Sequence, residues 1–180
     1  DRVRAAIKNL GFKFPDRRIT INLAPADVRK TGPVYDLPLL LALLISSGQL
    51  EAVPSDAAFL GELALDGTLR PVSGVLPMAL AAAESGIRAL YVPAENAAEA
   101  AEACADGMAV YPARTAREVV DALKGISSLS PAAAVPFDPA EAWAQVPDFA
   151  DVLGQSLARR AMVIAASGGH NVLLVGAPGT

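Results

Sequence analysis

The chain closes on Val172-Leu173-Leu174-Val175-Gly176-Ala177-Pro178-Gly179-Thr180, four apolar residues that run directly into a glycine- and proline-rich turn. This order is typical of a buried strand that leads into the front of a Walker A loop, G-x-x-x-x-G-K-[ST]. Glycines there let successive backbone N–H groups face phosphate oxygens, while the lysine and hydroxyl that follow hold phosphates and Mg²⁺. The pattern therefore predicts that five residues contribute to a nucleotide-binding loop, namely Gly176, Ala177, Pro178, Gly179 and Thr180.

The second glycine and the lysine of that motif would follow Thr180, so the sequence ends within the loop. We therefore expect no enzymatic activity and no bound ATP or Mg²⁺ in these residues taken alone. The five residues by themselves also fit an ordinary strand and turn, because short Gly/Pro turns are common. The preceding sequence favours the loop, since residues 148–167 predict a helix and Gly168-Gly169-His170-Asn171 predicts a turn into the strand.

A proline-rich stretch separates this C-terminal segment from the rest of the chain. Residues 126–147 contain four prolines, several alanines and serines, and little periodicity, which is typical of a linker. The predicted organisation is therefore a domain over residues 1–125, a linker over 126–147, and the start of a P-loop domain over 148–180.

Strands alternate with helices along the first domain, which predicts an α/β fold. The helix expected over residues 37–47 is apolar on all sides and therefore belongs in the interior. Asp66-Gly67 is a strong signal for a two-residue hairpin turn. The predicted helices are 1–11, 37–47, 75–85, 96–105 and 115–124, and the predicted strands are 18–23, 57–65, 68–72, 89–92 and 108–111.

The composition sets limits on function and location. A net charge of −4 and a pI near 5.0 give no global reason to expect nucleic-acid binding, so any such contact requires a local basic patch. The single cysteine, Cys104, excludes an internal disulfide and fits a cytoplasmic protein; it has no basic neighbour and is expected to be inert. The longest apolar run, 37–45, is about half of a membrane span, so no membrane partner is expected.

Several blocks, in the same order along nearly the whole chain, resemble the ComM/YifB branch of the magnesium-chelatase-like AAA+ ATPases. Blocks in the first domain and blocks ahead of the P-loop both contribute to this resemblance. They are Asn22–Asp27, Tyr35–Pro38, Phe59–Leu63, Gly74–Pro77, Val92–Asn96, Asp151–Ser156, Ala158–Ala161 and Ala165–Asn171.

The resemblance implies a Lon-protease-like (ribosomal S5 domain 2-like) α/β domain that lacks its first strands, then a linker and the first helix and strand of an AAA+ module. It implies that the full-length protein uses ATP and Mg²⁺, assembles as a hexamer, and acts on single-stranded or branched DNA during natural transformation. The first domain would then be a non-catalytic assembly or docking module.

Two alternatives belong to other functional classes. Lon-type peptidases use a Ser–Lys dyad, but the corresponding positions here are Val34 and Leu76, which cannot titrate; Ser73 and Lys30 lie nearby in sequence. The other alternative is a magnesium-chelatase subunit that inserts metal into a porphyrin. The long first domain over residues 1–125 argues against it.

Two further features leave more than one interpretation open. His170, the only histidine, either shapes the turn before the strand or lies near the nucleotide, and a lone histidine predicts no metal site. A basic cluster near the N-terminus is either a solvated surface or a contact for nucleic-acid phosphates. Its members are Arg2, Arg4, Lys8, Lys13, Arg17, Arg18, Arg29 and Lys30.

Overall fold

Three short parallel strands lie at the centre of the first unit of the computed structural model. The strands are β1 (Ala57–Phe59), β4 (Ala89–Pro93) and β5 (Ala109–Ala113), in the order β1-β4-β5. Ala57 lies opposite Ala89, and Tyr91 lies opposite Tyr111. The structure describes residues 2–16, 18–24, 32–103, 107–134 and 146–177, and the chain divides into units Asp1–Val135 and Pro136–Thr180.

Helices cover both faces of this sheet, as parallel strands require. They are α1 (Arg2–Asn9), α2 (Asp36–Ser46), α3 (Val75–Glu84), α4 (Ala97–Ala101) and α5 (Ala116–Leu123). Leu90 and Val92 of β4 pack with α3 and α4 in one apolar cluster. The other cluster joins α1, α2 and α5, where Leu37, Leu40 and Leu44 are fully buried. The α/β prediction and the interior position of α2 are confirmed.

A short antiparallel hairpin connects β1 to α3. Its strands are β2 (Glu62–Leu63) and β3 (Leu69–Arg70), and the Asp66 carboxylate accepts a hydrogen bond from the Thr68 N–H at 2.9 Å. The hairpin prediction is confirmed, but the single strand predicted over 57–65 is wrong. Gly61, at φ 157°, breaks it, because its N–H donates to the Val34 carbonyl instead of continuing the ladder. The N-terminal part therefore joins the parallel sheet and the C-terminal part joins the hairpin.

Two predicted strands, 18–23 and 172–175, do not form in the described structure. Neither segment makes a backbone hydrogen bond to any described residue, and their apolar side chains are exposed: Ile21 is 53% exposed and Leu173 is 86% exposed. Apolar alternation makes a strand only where a neighbouring edge satisfies the backbone N–H and C=O groups. Both segments have the composition of a strand, but no described strand pairs with either of them.

The first part of the predicted linker lies against the first unit. The Ala132 N–H donates to the Val110 carbonyl of β5 at 2.8 Å, and Leu129 packs against the cluster of α1, α2 and α5. Residues 135–145 lie outside the described ranges, so the limits 126 and 147 remain a prediction. Across the ranges that the structure describes, no helix is both long and apolar enough to span a membrane.

Candidate nucleotide-binding site

One long helix makes up much of the second unit, and the segment that follows its C-terminal end leads into the predicted loop. This helix, α6, spans Ser156–Gly168 and ends at Gly169, whose φ of 63° lies in the left-handed region. The N–H groups of Gly169 and His170 both donate to the Ala165 carbonyl. A left-handed glycine that turns two N–H groups back onto the last helical turn is a common helix stop.

His170 folds back onto the end of α6. A Cβ atom added at Gly168 would collide with the imidazole ring of His170, so a glycine there makes room for the ring. The side chain thus lies against the helix end and shapes the turn that directs residues 171–176. Of the two roles that the sequence left open, this contact supports the structural one.

The segment after this turn borders a cavity within the second unit. The cavity has a volume of about 690 Å³, and its walls are mainly apolar with one cationic side chain. It lies between α6, the 3-10 turn Phe149–Asp151 and the predicted P-loop segment. The lining residues are Phe149, Val152, Gln155, Ala158, Arg159, Met162, Leu174, Val175 and Gly176.

Local contacts hold the 3-10 turn and the start of α6, which line the same cavity as Gly176. The Asp148 carboxylate caps the 3-10 turn by accepting the Ala150 N–H at 2.8 Å, and Arg159 Nη1 donates to the Val152 carbonyl at 3.3 Å. Gln155, just before α6, has a φ of 48°, a left-handed conformation that costs a non-glycine residue on the order of 1 kcal/mol. Such strain recurs where a backbone is held in position for function.

Gly176 is the predicted loop residue that borders this cavity, and Ala177 follows it within the described segment. Pro178, Gly179 and Thr180 lie outside the described residues, so their predicted role stays a prediction. The sequence analysis did not identify Phe149, Val152, Arg159 or Met162 as site residues. Val152 and Arg159 fall within the blocks that resemble the ATPase family, which was the available signal.

A second cavity, in the first unit, is bordered by Val34, the residue that the resemblance to Lon-type peptidases aligns with their serine. It has a volume of about 400 Å³ and is bordered by Val34, Tyr35, Glu62 and Ser73. Leu76 is not among its lining residues; its N–H donates to Glu99 Oε1 at 3.0 Å. Lys30 lies outside the described residues, and none of the described lysines lines this cavity. The structure thus brings Val34 and Ser73 together without a described lysine beside them.

Two protein families match parts of this chain. The family described as "Subunit ChlI of Mg-chelatase" matches residues 1–96, and "Magnesium chelatase, subunit ChlI" matches residues 148–180. The two matches cover the front of the first unit and the segment that contains α6 and Gly176.

Individual relatives extend the match over the whole chain. Competence protein ComM of Haemophilus influenzae is 43% identical and "Uncharacterized protein YifB" of Salmonella typhimurium is 44% identical; each alignment covers 100% of this chain and 35% of the relative. Lon protease 2 of Bacillus subtilis is 28% identical over 123 residues, or 67% of this chain and 21% of that protein, a partial similarity. The chain thus spans about a third of the ComM and YifB relatives that it matches. It belongs to the ComM/YifB family of magnesium-chelatase-like proteins.

Proposed function

We propose that these residues are the front of an ATP-driven AAA+ motor, in which Gly176 to Thr180 open the phosphate-binding loop. The observation that carries this proposal is the cavity beside Gly176, in a segment that matches the magnesium-chelatase family. A nucleotide needs an apolar wall for its base and backbone N–H groups for its phosphates. The cavity offers the apolar wall, and Gly176 with the residues that follow it would supply the N–H groups.

The lining residues fit the base of a bound nucleotide better than its Mg²⁺-bound phosphates. Phe149, Val152 and Met162 supply apolar surface for the faces of a purine base, while Arg159 is the cation of the cavity. No carboxylate is among the described lining residues, so Mg²⁺ would be held by the phosphates and by residues beyond Thr180. The chain's own contribution is therefore to bind the base and begin the phosphate cradle.

The 180-residue chain should accordingly bind ATP negligibly, because the lysine and the last turn of the loop supply most of the phosphate affinity. Isothermal titration calorimetry of ATP into this chain tests the expectation. A micromolar dissociation constant would contradict it and would require a complete site within these residues.

The proposed substrate of the motor is single-stranded or branched DNA, with the full-length protein assembled as a hexamer that drives branch migration during natural transformation. One relative carries the name competence protein, and the family resemblance points the same way. The first unit would dock substrate or neighbouring subunits without chemistry of its own, since Val34 and Leu76 occupy the positions of the peptidase dyad.

The decisive experiment measures the ATPase activity of the full-length protein with and without DNA, and with residues 1–125 deleted. We expect single-stranded DNA to raise the rate, and we expect the deletion to reduce that stimulation more than the basal rate. An ATPase rate that does not change when DNA is added would overturn the proposed substrate.

A second candidate, a subunit that drives metal insertion into a porphyrin, is favoured by the family description itself. It predicts stimulation by a porphyrin-carrying partner in place of DNA. The same ATPase assay therefore separates the two candidates.

A further inference from the structure

Among the residues that the structure describes, the parallel sheet ends at β5, and the outer edge of that strand is poorly suited to pairing. β5 pairs with β4 through alternate residues, beginning with the Ala109 N–H, which donates to the Arg88 carbonyl at 2.8 Å. This alternation turns the backbone groups of Val110 and Pro112 toward the outer edge. Proline has no N–H to donate, so the edge presents only one donor and discourages an additional strand.

A segment that follows α5 lies against this outer edge. The segment comprises residues 128–134, and we call it the strap. The Ala132 N–H donates to the Val110 carbonyl at 2.8 Å. Leu129 packs against the apolar cluster of α1, α2 and α5, whereas Ala132 packs against the cluster of α3 and α4. Because these clusters lie on opposite faces of the sheet, the strap crosses its edge and contacts both.

Few contacts hold the strap in place. The bond from Ala132 is the one backbone hydrogen bond that residues 128–134 make to the rest of the described chain. Leu129 and Ala132 are partly buried. The other five strap residues are exposed: Ser128, Ser130, Pro131, Ala133 and Ala134. A segment with so few buried contacts and hydrogen bonds opens at a lower free energy than the core on which it lies.

We propose that the strap detaches from β5 while the rest of the first unit stays folded, and that its docking sets the length of the tether to the 3-10 turn at Phe149. With the strap docked, the tether has 14 residues (135–148); with the strap released, it has 21 residues (128–148). An extended residue spans at most about 3.6 Å, so release lengthens the reach of the tether by up to about 25 Å.

Two features of the molecule favour a detachable strap over a permanent one. Release uncovers an edge on which Pro112 already limits pairing, so it creates no template for aggregation. The strap residues are mainly small or polar, so release exposes little apolar surface apart from Leu129. The proposal concerns the chain between the two units and holds whether or not the full-length protein acts on DNA.

Native-state hydrogen exchange of the 180-residue chain, followed by NMR in increasing urea, tests whether the strap opens by itself. The Ala132 amide should exchange at least about tenfold more slowly than an unstructured amide, and at least about tenfold faster than the amides of β4. Its rate should respond little to urea, because local opening exposes little surface. An Ala132 amide without protection, or one that matches β4 in both rate and urea dependence, would overturn the proposal.

Three substitutions distinguish local from global opening. Leu40→Ala removes a fully buried side chain of α2 and should speed exchange of the β4 amides about a hundredfold, while the Ala132 amide keeps its rate. Leu129→Ala should speed exchange at Ala132 about tenfold, because it removes the larger contact of the strap. The control Ile126→Ala changes a side chain that is 70% exposed and should have no such effect. Equal acceleration of Ala132 and β4 by the first variant, or equal effects of the other two, would refute local opening.

The tether length is measured by pulsed electron–electron resonance between spin labels at Glu84→Cys and Arg160→Cys, with Cys104→Ser to leave no other thiol. Ala132→Pro removes the N–H that bonds to β5, so it should shift the distance distribution to larger values, by no more than about 25 Å. The control Ala134→Pro makes the same change at an exposed residue outside that bond and should leave the distribution as in the parent chain. Circular dichroism melting checks that each variant folds. Identical distributions for the two proline variants would contradict the role of the strap in setting the tether.

Discussion

Two short apolar runs of similar composition have opposite fates in this molecule. Residues 89–93 form β4, which pairs with β1 on one side and β5 on the other and buries Leu90 completely. Residues 172–175 have no described strand beside them, and Leu173 is 86% exposed. The difference shows that an apolar run is compatible with a strand, and that neighbouring strands on either side determine whether the strand forms.

The largest expected effect is on backbone protection of residues 172–175. In the 180-residue chain their amides should exchange freely with solvent, unlike those of β4. In the full-length protein we expect exchange to slow by on the order of a thousandfold, about 4 kcal/mol of opening free energy, as the rest of the P-loop domain supplies neighbouring strands.

Hydrogen exchange followed by mass spectrometry measures this change, with β4 peptides as the internal control. Protection already present in the shorter chain, or still missing in the longer one, would refute the assignment of 172–175 as the strand before the P-loop.

A matched pair of leucine truncations tests the same comparison through stability. Leu90→Ala removes a fully buried side chain and should lower the free energy of unfolding by about 3 kcal/mol. Leu173→Ala changes an exposed side chain and should cost less than about 0.5 kcal/mol. Urea denaturation followed by circular dichroism compares the two variants, and similar losses would show that 172–175 is packed in the isolated chain.

Local signals explain which parts of the fold could be predicted from the sequence. Helices α3 and α5 and the Asp66-Gly67 hairpin depend on residues within a few positions of one another, and all three are present. The break at Gly61 could not be predicted from neighbouring residues. It depends on a hydrogen bond from the Gly61 N–H to the carbonyl of Val34, which lies 27 positions earlier. Strand limits follow from such distant partners.

The candidate site follows the same rule. Gly176 was predicted from a motif of neighbouring residues, and it borders the cavity of the second unit. Phe149, Val152 and Met162 were missed as site residues, because they meet only when the 3-10 turn and α6 come together. A motif can therefore predict a loop residue such as Gly176, whereas an apolar wall that two elements build together requires tertiary structure.

Two left-handed glycines extend the comparison to the packing of each unit. Gly67 has a φ of 89°, and a Cβ atom there would lie 2.5 Å from Leu10 Cγ and Cδ2; Gly67→Ala should therefore cost about 2 kcal/mol. Gly169 has a φ of 63° with open space around it, so Gly169→Ala should cost only about 1 kcal/mol. Unfolding followed through the amide resonances of α1 and α6 measures each unit. Equal costs would indicate that backbone strain alone decides both.

The smallest expected effect concerns the Asp66 carboxylate in that same hairpin. The hydrogen bond from the Thr68 N–H, and then the contact with the Thr68 side chain, lower the pKa of Asp66 below its ordinary value. A lowered pKa in the folded state adds stability above the unfolded pKa, and this contribution disappears as the pH falls through the folded pKa. Asp66→Asn keeps an acceptor oxygen and cannot titrate, so the Tm difference between wild type and variant should shrink as the pH falls from about 5 to about 3.

Because Asp66 is exposed, the change should be small and further reduced by salt. Thermal melts across this pH range, paired with NMR titration of the carboxyl carbon, decide the matter. A constant Tm difference would mean that backbone geometry holds the turn. The charge of Asp66 would then add nothing to the stability of the first unit.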